Sequence, residues 1–224
     1  MVWFNRAALL FSSALLVADV APVSGVQTII PKTSFDSQST FDTYWKPYYP
    51  WGTDHNGSAR MNKTNIQVSN GVLTLTAKKV TGQPPASHGG KKIAINYFSG
   101  AVYAKHPFNV TSGGGYDYSA ELKATTTRGT WPAFWLTAVH GWPPEIDMAE
   151  WKGSGKISFN TFNTSSVVAA KDVDYPDPGS FHKINVQTRD LNGKDVQIKF
   201  YMDGKLVATQ TGAGYTGKPM WLYH

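Results

Sequence analysis

The chain has 224 residues, no cysteine, 13% aromatic and 16% charged residues, and a formal net charge of +6. That length allows one globular domain with a sizeable core, and the absence of cysteine excludes a small disulfide-stapled module. The basic residues form no dense Lys/Arg cluster, so no nucleic-acid patch is expected and the charge reads as a mild surface bias.

Met1 to Gly25 has the pattern of a secretory signal. Arg6 supplies the positive start, Ala7 to Ala18 the apolar stretch, and Val23 and Gly25 the positions before a cut after Gly25. A buried N-terminal helix is the competing reading. The apolar stretch is too short for a membrane span, and no longer one comes after it. The mature chain, 26–224, is expected outside the cell or in the cell wall, as a monomer. Four sequons, at Asn56, Asn62, Asn109 and Asn163, fit that expectation.

The remaining punctuation predicts an all-β domain. Pro47, Pro50, Gly52 and Gly57 break a Trp/Tyr-rich segment. Asn70-Gly71 turns into an alternating strand over Val72 to Ala77. Gly82 to Lys92 reads as a loop. Strands are expected at Ser99 to Lys105 and Tyr116 to Ala124. Trp131 to Leu136 is a short apolar run, expected to be buried on both sides. Lys152 to Gly155 predicts a hairpin turn into Ile157 to Phe162. Ile184, Val186 and then Val196 to Met202 alternate at period two, and Asp203-Gly204 is a tight-turn signal. No segment after the signal shows a helical period. Strands at this spacing predict a two-sheet antiparallel sandwich of jelly-roll type. The sequence stops within an apolar strand, Pro219 to His224, so one or more C-terminal strands are expected to be missing.

Within this frame one stretch carries chemistry. Glu145, Asp147 and Glu150 lie within six residues, with Ile146, Met148 and Ala149 between them. Residues two apart in a strand share a face, so Glu145 and Asp147 point together. Glu150, five residues on, would turn into the apolar side, where an unpartnered carboxylate costs several kcal/mol, roughly. A β-bulge between Asp147 and Glu150 is therefore predicted, returning Glu150 to the shared face. Three neighbouring carboxylates repel, so at least one is expected to hold its proton more tightly than usual. One protonated acid beside an ionised one is what cleavage of a glycosidic bond requires. A solvated acidic strand face is the alternative, but the bracketing Trp142 and Trp151 favour a sugar site.

The sequence resembles glycoside hydrolase family 16, the laminarinase and lichenase group of concanavalin-like jelly rolls. The resemblance rests on Glu145-Ile-Asp-Met-Ala-Glu150 and on Gly129-Thr-Trp-Pro-Ala-Phe-Trp-Leu136. It is supported by Ser99 to Lys105, Phe181-His182, Phe200 to Gly204 and, loosely, His55 to Arg60. It implies Glu145 as nucleophile, Glu150 as general acid/base and Asp147 as the residue that orients or tunes Glu145. It also implies a polysaccharide substrate, by default a β-1,3- or β-1,3(4)-glucan. No cofactor is implied; some members hold a structural calcium ion, but no ligand set here points to one.

Trp131, Trp135, Trp142 and Trp151 are candidates for stacking on sugar rings, with core packing the alternative. Trp45 and Trp51 are weaker candidates for a loop over the site. His140 and Asn160 are candidates for hydroxyl contacts, and His182 reads as a structural histidine. In the family a glutamate and an arginine hold the sugar on the minus side of the cut; Ser119 and Glu121 stand at those positions here. That departure keeps galactan- or agar-type substrates open. A transglycosylase of the same fold and a non-catalytic lectin-like module are the competing functions. A polysaccharide lyase would need a Tyr/His/Arg set that the sequence does not assemble.

Overall fold

The structure, a computed structural model, describes residues 26–224. The signal expected over 1–25 lies outside them. The main folded unit runs Lys32–His224. Its main strands are β1 Trp45–Pro47, β2 Val102–Ala104, β3 Gly115–Leu122, β4 Ala133–Ala138, β5 Glu145–Glu150, β6 Lys156–Phe162, β7 Val168–Asp174, β8 His182–Asp190, β9 Val196–Met202, β10 Lys205–Gly212 and β11 Met220–Tyr223.

Seven of these form one sheet in the order β1-β2-β11-β4-β5-β6-β7, and four form a second in the order β3-β8-β9-β10. All neighbours within both sheets are antiparallel. The apolar run at the end of the sequence is β11, which sits in the middle of the larger sheet between β2 and β4.

Alternation decides which face of each sheet is buried. Ile146 and Met148 of β5, Ile157 and Phe159 of β6, and Phe134 and Leu136 of β4 face inward. Ile184 and Val186 of β8 and Ile198 and Phe200 of β9 meet them from the smaller sheet. Phe159 and Phe200 touch across the gap with ring centroids 5.6 Å apart. Gln210 reaches from β10 to donate to the Phe159 carbonyl at 3.0 Å. The β9–β10 turn is made by Asp203 and Gly204 at φ 49° and 79°, the left-handed pair that a two-residue hairpin requires. His182 is a satisfied structural histidine, with Nδ1 2.8 Å from Asp203 of that turn.

Several local expectations need correction. A short helix, α1 Gln38–Tyr44, precedes β1, closed by a capping box between Ser37 and Thr40. Only Phe41 of its seven residues is buried, too little apolar periodicity to read from sequence. The loop expected over Gly82 to Lys92 contains a hairpin, Ala86–His88 paired with Lys91–Ile93. The strand expected over Ser99 to Lys105 is split: Tyr97–Ser99 pairs with Ala59–Met61, and β2 begins at Val102. Gly100 marks the break, where a Cβ would lie 2.6 Å from the Asn65 carbonyl oxygen. The run Trp131 to Leu136 is not buried on both sides. Trp131 precedes β4 and is 60% exposed, while Trp135 faces outward from it.

Phe200 is fully enclosed between the sheets. Phe200→Ala is expected to cost about 3–5 kcal/mol of stability, read as a lowered urea midpoint with an unchanged slope. A midpoint within error of the parent would mean that this inter-sheet contact does not hold the sandwich.

Candidate active site

The bulge in β5 builds the site. On the β6 side, Asp147 pairs with Asn160 and Glu150 with Ser158, so Met148 and Ala149 together oppose Phe159. On the β4 side, Phe134 pairs with Ala149 and Trp135 with Asp147, and the register again skips Met148. The extra residue returns Glu150 to the face of Glu145 and Asp147, as the parity argument requires. This is the outer face of the larger sheet, since Ile146 and Met148 fill the inner one.

Donors surround the acids. Asn160 Nδ2 lies 2.9 Å from both Asp147 Oδ2 and Glu150 Oε2 and bridges them. The Trp131 indole N–H donates to Glu150 Oε1. The Trp142 indole N–H donates to Glu145 Oε2 at 2.9 Å. Lys152 Nζ lies 3.2 Å from Glu150 Oε2. Tyr215 fixes the backbone below: its hydroxyl accepts the Glu145 N–H at 3.1 Å and donates to the Phe162 carbonyl.

Burial pushes Asp147 well above the usual aspartate range, and the charges of Glu150 and Glu145 push it further; Asn160 and Lys152 only partly oppose this. Burial also raises Glu145, against the opposing donors Trp142 and Thr137, with the Glu150 charge adding to the rise. The cluster thus holds protons that isolated carboxylates would lose, the condition that like charges in a dry setting impose.

The sequence candidates separate into three groups. Glu145, Asp147, Glu150 and Asn160 are brought together, and Asn160 meets the carboxylates directly. Trp131 and Trp142 reach the same cluster as N–H donors. Trp135 pairs with Asp147 across β4 and β5 and stacks on Tyr223 at 4.6 Å, which makes it the indole floor beside the acids.

The remaining candidates are elsewhere. Trp151 is 2% exposed and packs edge-on against Tyr175 in the interior. It follows Glu150 by one residue, so the bulge that turns Glu150 outward turns Trp151 inward. Ser119 and Glu121 are on β3 of the other sheet, exposed on its outer side because Tyr118, just before Ser119, faces the core. Ser119 accepts a hydrogen bond from Asn185 at 2.9 Å, on the side of the sandwich opposite the acids. His140 is exposed in the turn between β4 and β5, with no hydrogen bond to an acid among the described residues. Trp45 is buried against Phe35 and His224, whereas Trp51 lies over the site face 5.7 Å from Tyr223.

Sequence reasoning missed Lys152, Thr137, Tyr215 and Tyr223. Lys152 had a signal, since it is two residues past Glu150 and shares its parity. The two tyrosines had none: Tyr215 is 70 residues from Glu145 in sequence. Among the described residues no group of three His, Cys, Asp or Glu side chains is arranged to hold a metal ion. No helix among them is long and apolar enough to cross a membrane.

A two-sheet sandwich with clustered, proton-holding carboxylates on one outer face, ringed by indoles, defines a glycoside hydrolase. Comparison with known proteins agrees. The chain belongs to Glycosyl hydrolases family 16, whose model matches residues 53–224. It is 52% identical over 203 residues to a galactan endo-beta-1,3-galactanase of Flammulina velutipes, covering 90% of this chain and 80% of that protein. It is 29% identical to the endo-1,3-1,4-beta-glycanase EglC of Rhizobium meliloti (strain 1021), over 70% of this chain and 32% of that protein. Among solved structures, porphyranase B from Zobellia galactanivorans superposes with a TM-score of 0.60 at 18% identity, over 81% of this chain and 73% of the other. A lichenase from a mouse hindgut metagenome gives 0.60 at 19% identity, over 84% and 82%. Those structural likenesses carry the fold alone.

Trp142→Phe keeps the ring and removes the donor to Glu145. A carboxylate that loses a donor to its ionised form binds its proton more tightly. Glu145 is therefore expected to titrate at higher pH in the variant, followed by its carboxyl carbon chemical shift. An unmoved titration would remove Trp142 from the electrostatics of the site.

Proposed function

We propose that this chain is a retaining, endo-acting hydrolase of β-1,3-linked galactan. The reaction class rests on one observation: the bulge puts Glu145 and Glu150 on one outer sheet face, each held by an indole N–H. In this reading ionised Glu145 attacks the anomeric carbon. Glu150 gives its proton to the departing glycosidic oxygen, so that bond breaks as the glycosyl ester forms. Glu150, now a carboxylate beside Lys152, then takes a proton from water, and the hydroxide releases the sugar and restores Glu145. Burial and the charges of Glu150 and Glu145 raise Asp147, which favours its neutral form beside an ionised Glu145.

Galactan replaces the glucan expected by default. The support is the 52% identity, over 90% of the chain, to a protein named for endo-β-1,3-galactanase activity. The site positions Ser119 and Glu121 do not enter the choice, because they are on the other sheet. Secretion is part of the same proposal, supported by the leader pattern of residues 1–25.

A reducing-end assay on β-1,3-galactan, β-1,3-glucan and mixed-linkage glucan tests the reading. Galactan is expected to give new reducing ends and a ladder of internal-cleavage products. Glu145→Gln and Glu150→Gln are each expected to lower turnover about 10²–10⁴-fold or more, with oligosaccharide binding retained. An unchanged rate in either variant would remove that glutamate from the mechanism. Glucan cleaved in preference to galactan would reverse the substrate assignment.

A further inference from the structure

Between β1 and Ala59, the chain folds over the site face next to β4 and β11. Tyr49 and Trp51 stack with centroids 4.8 Å apart and planes 4° apart. Both lie against Tyr223, at 6.0 and 5.7 Å, and Tyr223 is fully enclosed although it belongs to the outward row. His55 ends this segment. Its ring lies 5.6 Å from Trp51 and 6.1 Å from Trp135. Trp135 is the register partner of Asp147, so the imidazole stands one strand away from the acids, above the indole floor beside them. His88, from the hairpin over Ala86–Ile93, meets it edge-on at 6.4 Å.

This wall is aromatic except at one point. Trp51 and Trp135 offer faces that stack on the C–H side of a pyranose but do not read its hydroxyls, and Tyr49 backs Trp51 from behind. His55 is half-buried among them. The histidine ring nitrogens that find protein partners belong to His182; among the described residues both nitrogens of His55 lack one. Burial lowers its pKa, with His88 adding to the effect, which favours the neutral ring. A neutral imidazole has one N–H donor and one bare acceptor nitrogen. Neither nitrogen is among the buried unpartnered atoms, so both are open to the site face, where a sugar hydroxyl can donate to the bare nitrogen or accept from the N–H.

We propose that a ring nitrogen of His55 hydrogen-bonds a ring hydroxyl of the galactosyl unit seated on Trp135. This rests on the reading of the chain as a galactan hydrolase. His55 is then a substrate-binding residue, and its contact is made in the ground state as well as in the transition state. Losing it raises KM and leaves kcat near its starting value.

Two substitutions separate a hydroxyl contact from packing. His55→Phe keeps an aromatic ring against Trp51 and Trp135 but removes both polar atoms. His55→Gln removes the ring but keeps a donor and an acceptor. Each is measured for cleavage of β-1,3-galactan, and again in the Glu145→Gln background for calorimetric binding of an uncut β-1,3-galactooligosaccharide. Thermal melting checks that each variant is folded. His55→Phe is expected to weaken binding about tenfold and raise KM in proportion, and His55→Gln to recover part of that loss. His55→Phe binding as tightly as its parent overturns the proposal. So does His55→Gln binding no better than His55→Phe, which assigns the loss to shape. A wild-type chain that leaves galactan uncut brings down the substrate reading and this one with it. A wild type that cuts galactan beside a His55→Phe variant of parental affinity brings down only the role of His55.

Discussion

A regular strand cannot show one face to residues five apart, and the site depends on how β5 escapes that rule. The inserted residue at Met148–Ala149 reverses the parity of every later position in the strand. Before the bulge, Glu145 and Asp147 stay outward and Ile146 inward. Past it, Glu150 goes outward and Trp151 into the interior. The same single residue thus completes the acid cluster and anchors the far end of β5 in the core. The two consequences are coupled, because the large indole of Trp151 holds the strand in the register that presents Glu150.

Gathering three carboxylates on one patch of sheet is unfavourable, and the protein balances it in two ways. Part of the charge is suppressed, since burial and mutual repulsion raise Asp147 and Glu145. The rest is met by donors arranged around the cluster: Asn160 between two acids, an indole on each glutamate, and Lys152 on Glu150. These donors also fix the side chains. A carboxylate held by one donor from β6 and another from the segment before β4 has little freedom to turn away. Reactive geometry and charge balance therefore come from the same contacts.

Tryptophan serves three different ends around this cluster, and residue type alone does not distinguish them. Trp131 and Trp142 are largely exposed and use their N–H groups on the acids. Trp135 lies flat on Tyr223 as a floor. Trp151 is core. Proximity to Glu145 and Glu150 in sequence suggested sugar contact for all four, and parity would have removed Trp151 once the bulge was accepted. Ser119 and Glu121 failed as site positions for a different reason. Their alternation was readable, but the sheet that β3 joins was not, and β3 pairs with β8 rather than with any strand bearing an acid.

What the sequence alone determined was local. Period-two patterning, the Asp203-Gly204 turn and the absence of cysteine specified antiparallel strands around an apolar core. The spacing of Glu145, Asp147 and Glu150 required a bulge, because burying a lone carboxylate is too unfavourable. These are consequences of neighbours in the chain. What only the tertiary structure decided was which distant residues share a face. Asn160 reaches the acids because β6 pairs with β5, and Tyr223 lies under Trp135 because the last strand inserts beside β4. His55 stands over that floor because a segment from the start of the domain folds across it. Strand order has no local signature, since any strand with one apolar face satisfies the pattern; packing the two inner faces together selects the order, and with it the company the acids keep.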